Sequence, residues 1–255
     1  MAIGRLDGKV AIITGAAGGI GSATARLLAA ERAAVILADV RAEDAAAVVG
    51  QITAAGGAAI AARADVSDED QVRALIGRAV TEFGGLDIVV NNAGMALHSP
   101  LAQTALADFE AVLAVNLSGP FLMMKHAAAA MRDGGSIVNI SSVAAVMAVR
   151  GAAAYTAAKG GLLSLTRVAA AEFGPRIRVN CVCPGTVRTE MPEELLRTRG
   201  DGDAEAGARL TAQRYLSGRL GLPEEIAATV LFLAGPESSF CTGTVLIADG
   251  GVTAQ

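Results

Sequence analysis

Short apolar segments alternate with longer helix-like stretches along the whole chain. Most of these segments are apolar at nearly every position rather than at alternate positions, as in "KVAIITG" at 9–15. Such strands are typical of a parallel sheet covered on both faces, because side chains on both sides of the strand are then buried. The predicted strands are 9–15, 34–39, 58–65, 86–94, 135–141, 177–185 and 244–249. The alternation therefore predicts a doubly wound α/β fold with a seven-stranded parallel sheet and helices on both faces.

The segments between the strands predict helices, and no linker interrupts the alternation. Ser67, with an acidic residue three positions later at Asp70, predicts a capped helix that runs to Phe83. Pro223 suits the first turn of a late helix. The predicted helices are 20–31, 42–55, 67–83, 105–131, 153–173 and 223–234. Residues 1–255 are therefore expected to form a single domain.

One segment departs from this pattern. Residues 190–215 are charged, contain glycine and show no clear hydrophobic period. The segment follows the sixth predicted strand, and ligands of a doubly wound sheet bind beyond the carboxyl ends of the strands. We therefore expect a mobile insertion on the substrate side of the site.

Composition and charge exclude several classes of protein. Of the 255 residues, 53% are hydrophobic and 18% are charged, which argues against disorder. The formal net charge is -4 and no dense block of Lys or Arg occurs, so a nucleic-acid partner is not expected. The N-terminus has no signal-peptide pattern, and no apolar run reaches the roughly 18 residues of a membrane span. We therefore expect a cytoplasmic protein with no membrane partner.

Three cysteines and two histidines raise the question of a metal or redox site. Cys181 and Cys183 lie two residues apart on a predicted strand, so their thiols share one face. A metal or redox pair is one interpretation; small buried hydrophobic side chains are the favoured one. His98 and His126 have no partner at metal-ligand spacing. No metal site is therefore predicted.

The segment "TGAAGGIG" at 14–21 lies between the first predicted strand and the first predicted helix. Its glycines are best described as Gly15-x-x-x-Gly19-x-Gly21. Glycines of this kind permit positive φ and let the backbone approach a pyrophosphate at a helix N-terminus. A tight turn without a ligand is the alternative, and the glycines alone do not decide between the two.

An acidic residue strengthens the interpretation of this turn as a nucleotide site. Asp39 ends the second predicted strand, close to the spacing expected for an acid that hydrogen-bonds the adenosine ribose. A carboxylate at that position repels a 2′-phosphate, although Arg41 could partly compensate. The sequence therefore predicts NAD(H) rather than NADP(H).

Tyr155 and Lys159 are four residues apart on the predicted helix 153–173, so they share a helix face. Hydride transfer between a secondary alcohol and a ketone requires that a proton leave or reach the substrate oxygen. A nearby ammonium favours the phenolate and is expected to lower the pKa of Tyr155. The alternative is an ordinary surface pair.

A serine lies close to this pair in the expected site. Ser142 lies just after the fifth predicted strand and can position the substrate oxygen; Ser141 is the alternative.

Several motifs occur together, in an order and at spacings that match one family. They are "TGAAGGIG" (14–21), "NNAG" (91–94), Asn116, Ser142, "YTAAK" (155–159) and "PGTVRT" (184–189). Over nearly its whole length, the chain resembles the short-chain dehydrogenases/reductases with subunits of this size. The resemblance implies a Rossmann-type dinucleotide-binding domain. It also implies a homotetramer built partly from the 105–131 and 153–173 helices.

The resemblance also implies roles for individual residues. The implied catalytic tetrad is Asn116, Ser142, Tyr155 and Lys159. Gly15, Gly18 and Ile20 would form the phosphate turn. The other implied contacts of the cofactor are Asp39 at the adenosine ribose, Asp65 and Val66 beside the adenine, Asn91 and Gly94 behind the cofactor, and Pro184, Val187 and Thr189 at the nicotinamide carboxamide and nearby phosphate. Lys159 would also hold the nicotinamide ribose.

These features together predict an NAD(H)-dependent oxidoreductase that interconverts a secondary alcohol and a ketone. A 3-oxoacyl-thioester reductase that uses NADPH is an alternative, and a dinucleotide-sensing regulator without catalysis is a remote one. The substrate is a small molecule, whose pocket is expected to include His98, residues 143–150, Thr186 and the 190–215 segment. Four arginines are candidates to bind an anionic substrate group, with solvated surface charge as their alternative: Arg150, Arg188, Arg197 and Arg199.

Overall fold

The computed structural model describes residues 4–255 and contains one sheet of seven parallel strands. The strand order is β3-β2-β1-β4-β5-β6-β7. The strands are β1 (Val10–Thr14), β2 (Ala34–Asp39), β3 (Ala59–Arg63), β4 (Leu86–Asn91), β5 (Met131–Ile140), β6 (Ile177–Pro184) and β7 (Val245–Ala248). The strand order reverses at β1: β2 and β3 lie on one side of it, and β4 to β7 lie on the other. The predicted doubly wound fold is confirmed, and the place where the strand order reverses marks the expected ligand crevice.

Helices cover both faces of this sheet. They are α1 (Gly19–Ala30), α2 (Ala42–Ala54), α3 (Glu69–Phe83), α4 (Leu106–Leu113), α5 (Gly119–Ala130), α6 (Ala153–Phe173), α7 (Glu193–Arg199), α8 (Ala204–Ala212) and α9 (Pro223–Ala234). A π-helical segment, Ala114–Ser118, joins α4 to α5. The α6 and α9 bounds agree with the sequence analysis.

The two faces of the sheet carry two separate hydrophobic cores. Successive residues of β1 enter opposite cores: Ala11 and Ile13 pack with α1, α2 and α9, whereas Val10 and Ile12 pack with α3, α5 and α6. Every residue of β1 is buried. This burial on both faces is the physical reason for the continuous apolar strands in the sequence.

Several element bounds differ from the sequence analysis by a few residues, and two of these differences have a clear local cause. β5 begins at Met131, where a helix end was expected, and Met131 pairs with Leu86 across an irregularity in the register. The following glycines conceal the strand from a pattern search, because Gly134 adopts a positive φ of 81°. The expected Ser67 cap of α3 is also wrong. Asp68 is the cap, and its carboxylate accepts hydrogen bonds from the N–H groups of Asp70 and Gln71.

The run from α4 to α5 is apolar as well as long. Leu106–Ala130 spans 25 residues and is long and apolar enough to cross a membrane by length and composition. The sequence analysis expected no such run, and that expectation is wrong by this measure. The same test is passed by core helices of soluble proteins, so one such run is weak evidence for a membrane location.

The 190–215 segment contains α7 and α8, which the sequence analysis did not predict. Leu196 of α7, Ala208 of α8 and Tyr215 are buried in a small cluster with Val143 and Val252. Glycine allows the two helices to approach closely, since a Cβ on Gly207 would overlap the carbonyl oxygen of Leu196. The mobility expected for this segment remains a prediction.

Candidate active site

The carboxyl ends of β5 and β6 open on a cavity of about 620 Å³. Three members of the implied tetrad line it together: Ser142, Tyr155 and Lys159. Residues expected at the cofactor also line it: Ile20, Gly94, Pro184, Val187 and Thr189. The cavity walls also include the residues that the sequence analysis expected at the substrate: His98, Thr186, residues 143–150 except Ala145 and Val146, and part of the 190–215 segment.

Lys159 is buried on α6, with 3% of its surface exposed. Its Nζ donates a hydrogen bond to the carbonyl oxygen of Ile140, at 2.8 Å, and lies 5.6 Å from the centre of the Tyr155 ring. Burial lowers the pKa of Lys159 to about 8, while the neighbouring thiols of Cys181 and Cys183 act in the opposite direction. The amine therefore remains mostly protonated at neutral pH.

Tyr155 is half-buried, one helical turn before Lys159. Burial raises the pKa of its phenol, and a hydrogen bond with the Ser142 side chain opposes that rise. The expected lowering of the Tyr155 pKa by Lys159 is wrong for the protein alone, because burial raises this pKa and the opposing interaction comes from Ser142. In this geometry the phenol holds its proton at neutral pH and can donate it to a substrate oxygen.

Ser141 and Ser142 have different surroundings. The Ser141 hydroxyl is buried and donates to the carbonyl oxygen of Lys159 at 2.9 Å, which ties β5 to α6. Ser142 caps a short 3-10 turn, where its Oγ accepts a hydrogen bond from the N–H of Ala144 at 3.1 Å. Only the Ser142 hydroxyl hydrogen is therefore free to reach Tyr155 or a substrate oxygen.

Asn116 lies in the π-helical segment and is fully buried. Its Nδ2 donates to the carbonyl oxygens of Met95 and Val112, at 2.8 and 2.9 Å. Within residues 4–255, its Oδ1 has no hydrogen-bond partner. A Cβ on Gly94 would lie 2.8 Å from that oxygen and 3.6 Å from Lys159 Nζ. Asn116 thus presents a free acceptor close to the ammonium.

The glycine turn is shaped by its contacts with two other segments. Gly15 has a φ of 63°, and a Cβ there would lie 2.7 Å from Ala93 Cα. Gly19 has a φ of 54°, and a Cβ there would lie 3.0 Å from Thr189 Cγ2. Gly18 precedes α1 with no side-chain cap. The free N–H groups at the start of α1 fit an anionic ligand such as a pyrophosphate.

Asp39 ends β2 and is mostly buried, with 8% exposed. Its two carboxylate oxygens accept hydrogen bonds from the N–H groups of Ala17 and Arg41, at 3.0 and 2.9 Å. The Arg41 guanidinium lies between Asp39, Asp44 and Glu190, at 3.9, 3.4 and 3.4 Å. The acid therefore connects the glycine turn to β2, and Arg41 already has three carboxylate neighbours.

Asn91 was expected behind the cofactor, but it is the next residue, Asn92, whose side chain lies at the cavity. The Asn91 side chain is buried and donates to Asn139 Oδ1 at 2.8 Å, away from the residues that line the cavity. Asn92 lines the cavity, and its Nδ2 donates to the carbonyl oxygens of Thr14 and Gly15, at 3.0 and 2.9 Å. The sequence analysis did not single out Asn92.

Asp65 and Val66 follow β3, at the same edge of the sheet as Asp39. Asp65 accepts hydrogen bonds from the N–H and the hydroxyl of Ser67, at 2.9 and 2.6 Å. Asp65 also lines a shallow depression together with Val40 and Arg63. Val66 is buried, and a Cβ on Gly119 would lie 2.7 Å from its Cγ2. Neither residue lines the main cavity.

Comparison with known proteins gives the family. A sequence model described as "Enoyl-(Acyl carrier protein) reductase" matches residues 15–253. The chain belongs to the short-chain dehydrogenase/reductase family. It is therefore an oxidoreductase of the kind that acts on CH–OH groups with a nicotinamide dinucleotide.

Relatives of this short-chain dehydrogenase/reductase match it over nearly its whole length. Cis-4-hydroxycyclohexanecarboxylate dehydrogenase of Sinomonas cyclohexanicum is 43% identical, over 96% of this chain and 97% of its own. The 3-oxoacyl-[acyl-carrier-protein] reductase of Thermotoga maritima is 39% identical, over 97% of this chain and 99% of its own. The solved structure of levodione reductase has a TM-score of 0.94 at 36% identity, over 98% of this chain and 99% of that one.

Within the 190–215 segment, the cavity of this short-chain dehydrogenase/reductase contains residues that the sequence analysis did not single out. Tyr215 is buried, and its phenol oxygen accepts a hydrogen bond from the Thr186 N–H at 2.7 Å. Arg214 and Thr211 line the cavity beside it. Their only signal in the sequence is that one of the two tyrosines of the chain lies in the charged 190–215 segment.

The structure also separates the four candidate arginines. Arg150 and Arg199 line the cavity. Arg188 and Arg197 do not line it and pair with Glu205 and Glu193, at 3.1 and 2.7 Å.

Cys181 and Cys183 are buried against Leu163, in agreement with the interpretation of these cysteines as small buried hydrophobic side chains. Within residues 4–255, no group of three or more His, Cys, Asp or Glu is placed to hold a metal ion.

Proposed function

We propose that the protein is an NAD(H)-dependent oxidoreductase that interconverts a secondary alcohol and a ketone, with Tyr155 as the acid/base. The observation that carries the proposal is the shared cavity of Ser142, Tyr155 and Lys159, at the carboxyl end of β5. Ile20 at the start of α1 lines the same cavity. The proton-transferring group and the nucleotide turn therefore face one space.

Tyr155 donates its proton to the ketone oxygen in reduction and takes the alcohol proton in oxidation. Ser142 hydrogen-bonds the substrate oxygen and holds it against the phenol. The Lys159 ammonium stabilises the phenolate when the proton has left. Asn116 Oδ1, which has no hydrogen-bond partner among residues 4–255, lies close to Lys159, where it can hold a water that replaces the proton.

The nicotinamide dinucleotide, when bound, accepts or supplies the hydride. The uncapped start of α1 and the glycine cradle support its pyrophosphate at Gly15, Gly18 and Ile20. Gly94, Pro184, Val187 and Thr189 line the cavity and would hold the nicotinamide end together with Lys159. Asp65 and Val66 would flank the adenine. Asn91 would contribute by its backbone alone, because its side chain bonds Asn139.

The choice of NAD(H) over NADP(H) rests on the charges at the end of β2. Asp39 would accept a hydrogen bond from the ribose 2′-hydroxyl and repel a 2′-phosphate. The Arg41 guanidinium is surrounded by Asp39, Asp44 and Glu190, so it gives a phosphate little net attraction. Steady-state kinetics with both cofactors test the choice: a higher kcat/KM with NADPH contradicts it.

We propose a small cyclic secondary alcohol as the substrate class. Two relatives support this, a cis-4-hydroxycyclohexanecarboxylate dehydrogenase and a levodione reductase. The cavity wall includes the apolar side chains of Met147 and Val149, which suit a hydrocarbon ring. The first substrates to test are cyclohexanol and cis-4-hydroxycyclohexanecarboxylate with NAD. Their oxidation is measured as the increase of NADH absorbance at 340 nm.

A 3-oxoacyl-thioester reductase that uses NADPH is the second candidate, because the Thermotoga maritima relative carries that name. The acidic end of β2 disfavours it. Turnover of acetoacetyl-CoA with NADPH that exceeds the turnover of cyclic alcohols with NAD would favour it. A dinucleotide-sensing regulator would bind the cofactor and turn over none of these substrates.

The Tyr155→Phe variant tests the mechanism. It removes the phenol oxygen and keeps the ring, so it is expected to lower kcat by about three orders of magnitude or more, the upper range for acid–base catalysis. Binding of NADH, followed by its fluorescence, should change less than about threefold. A variant with near-normal kcat would show that another group transfers the proton.

We also propose a homotetramer in the cytoplasm, with the α4–α5 and α6 helices in its interfaces. Exposed apolar side chains on these helices support the assembly: Leu106, Phe121 and Val168 are 70%, 46% and 51% exposed. An apolar helical run with little burial in one chain is explained if a second chain covers it. Light scattering after size exclusion should give four times the chain mass of 25.6 kDa.

A further inference from the structure

The cavity that contains Tyr155 is lined by basic residues without acidic ones. Arg150, Arg199, Arg214, Lys159 and His98 line it. Within residues 4–255, no Asp or Glu side chain does. This contrasts with the chain as a whole, whose formal net charge is -4. A site with one sign of charge attracts a ligand of the opposite sign.

Two of these arginines differ from the others in the same part of the chain. Between residues 188 and 219, four arginines pair with a carboxylate: Arg188 with Glu205, Arg197 with Glu193, Arg209 with Asp203 and Arg219 with Glu225. The widest of these four pairs has a nitrogen–oxygen distance of 4.0 Å. Within residues 4–255, no carboxylate oxygen lies within that distance of the guanidinium of Arg199 or Arg214. Among the arginines of 188–219, the two for which residues 4–255 provide no counter-charge are the two that line the cavity.

Arg199 is held in place from one side. It is half-buried at the end of α7, and its Nη1 donates to the hydroxyl oxygen of Thr211 on α8, at 3.1 Å. Burial and the nearby charge of Arg214 both lower the pKa of its guanidinium, while Tyr215 acts in the opposite direction. A guanidinium has five N–H donors, and in the described part of the chain this bond to Thr211 leaves most of those on Arg199 free.

We propose that Arg199 and Arg214 form an oxyanion subsite, so that the enzyme prefers secondary alcohols that carry a carboxylate or a similar oxyanion at the end remote from the reacting hydroxyl. This inference rests on the proposed function of the same cavity. Guanidinium groups bind carboxylates through paired, charge-assisted hydrogen bonds. The bound anion would also offset the repulsion between two neighbouring cations.

The position of the pair separates it from the nucleotide. Arg41 approaches the glycine turn, and its Nη2 would lie 3.7 Å from a Cβ on Gly18. Arg199 instead contacts Thr211, and Arg214 directly precedes Tyr215, whose phenol holds the N–H of Thr186. The pair therefore belongs to the part of the cavity wall that residues 199–215 form, and not to the turn expected at the pyrophosphate.

Equilibrium binding to the NADH-saturated protein tests the subsite without turnover. The probes are cyclohexanecarboxylate, cyclohexanecarboxamide and cyclohexyl phosphate, measured by titration calorimetry. The carboxylate is expected to bind at least about tenfold more tightly than the carboxamide, and Arg214→Gln or Arg199→Gln should remove most of that difference. Arg197→Gln is the matched control, since it changes the same charge on α7 outside the cavity. Arg199→Lys should restore part of the preference.

The outcomes distinguish three cases. Equal binding of carboxylate and carboxamide to the unaltered protein overturns the subsite, and so does an equal loss of carboxylate affinity in Arg197→Gln. A weaker affinity for NADH in Arg214→Gln with unchanged carboxylate binding assigns the pair to the cofactor and also overturns it. If the charge preference is present but no alcohol is oxidised with NAD, the subsite stands and the proposed function fails. The phosphate probe shows which oxyanion fits better.

Discussion

The ammonium of Lys159 donates a hydrogen bond to the backbone carbonyl oxygen of Ile140, at 2.8 Å. This contact joins the first turns of α6 to the carboxyl end of β5 and holds a positive charge beneath the Tyr155 ring. Because the partner is a carbonyl and the side chain is only 3% exposed, the charge is poorly compensated. Burial therefore lowers the pKa of the lysine to about 8. The same charge that serves the proposed reaction costs stability.

We expect the Lys159→Met variant to reveal this cost through pH. The folded protein releases the lysine proton near pH 8, whereas the unfolded chain keeps it until its ordinary value of 10.5. Between these values the unfolded state binds more protons, so this group adds stability as the pH rises. From pH 7 to 9.5 the unaltered protein should gain about 2 kcal/mol of unfolding free energy relative to Lys159→Met. Urea unfolding of both proteins at pH 7 and 9.5 measures this difference in unfolding free energy. Equal changes with pH in the two proteins would contradict the prediction.

The raised pKa of Tyr155 predicts different pH profiles for the two directions of the reaction. Burial keeps the phenol protonated at neutral pH, so alcohol oxidation depends on a small phenolate fraction. Between pH 6 and 7, kcat/KM for oxidation should rise by about tenfold, while that for ketone reduction should stay nearly constant. Steady-state rates in both directions test this. A flat oxidation profile would mean that proton removal from the phenol does not limit the reaction.

Asp39→Asn should relax the choice of cofactor. The substitution removes a negative charge from the end of β2 and can keep one hydrogen bond, either to the Ala17 or to the Arg41 N–H. The ratio of kcat/KM for NADPH to that for NADH should rise by about tenfold or more, because repulsion of a 2′-phosphate is lost. Asp44→Asn is the control. Asp44 also neighbours Arg41 but lies on α2, whereas Asp39 accepts the hydrogen bond of the Ala17 N–H in the glycine turn. The same rise in both variants would assign the effect to Arg41 instead.

Gly15→Ala should destabilise the protein through both backbone and packing. Gly15 has a φ of 63°, and its added Cβ would lie 2.7 Å from Ala93 Cα. We expect a loss of about 3 kcal/mol, the sum of a left-handed conformation and overpacking. Gly134→Ala separates the two causes, because Gly134 has a φ of 81° and nothing within 4 Å. Its loss should be about 1 kcal/mol. Equal losses by urea unfolding would mean that the contact with Ala93 contributes nothing.

Tyr215→Phe should weaken the wall formed by the 184–189 loop. The phenol oxygen accepts the hydrogen bond of the Thr186 N–H at 2.7 Å, and removal of that oxygen leaves the donor without this partner. The unfolding free energy should fall by about 1–3 kcal/mol, and the KM for the alcohol should rise more than kcat falls. Urea unfolding and steady-state kinetics check both. An unchanged KM would separate Tyr215 from substrate binding.

Sequence patterns predicted the parts of the site whose geometry is local. Tyr155 and Lys159 share a face because four residues make about one helical turn. Gly15 and Asp39 lie at the carboxyl ends of β1 and β2, which meet at one edge of the sheet. Asn91 shows the limit of this reasoning. Its position at the end of β4 was correct, yet its side chain binds Asn139 and leaves the cavity wall to Asn92.

The sequence by itself determined the parallel sheet and the spacing of the residues proposed for catalysis, because hydrophobic periods and helical turns are local properties. The tertiary structure alone decided which charges face the cavity. Arg197 and Arg199 lie on one short helix, but one pairs with Glu193 while the other contacts Thr211 and lines the cavity with Arg214. That separation depends on how α7 packs against α8 through Gly207, a contact between segments that no local pattern encodes.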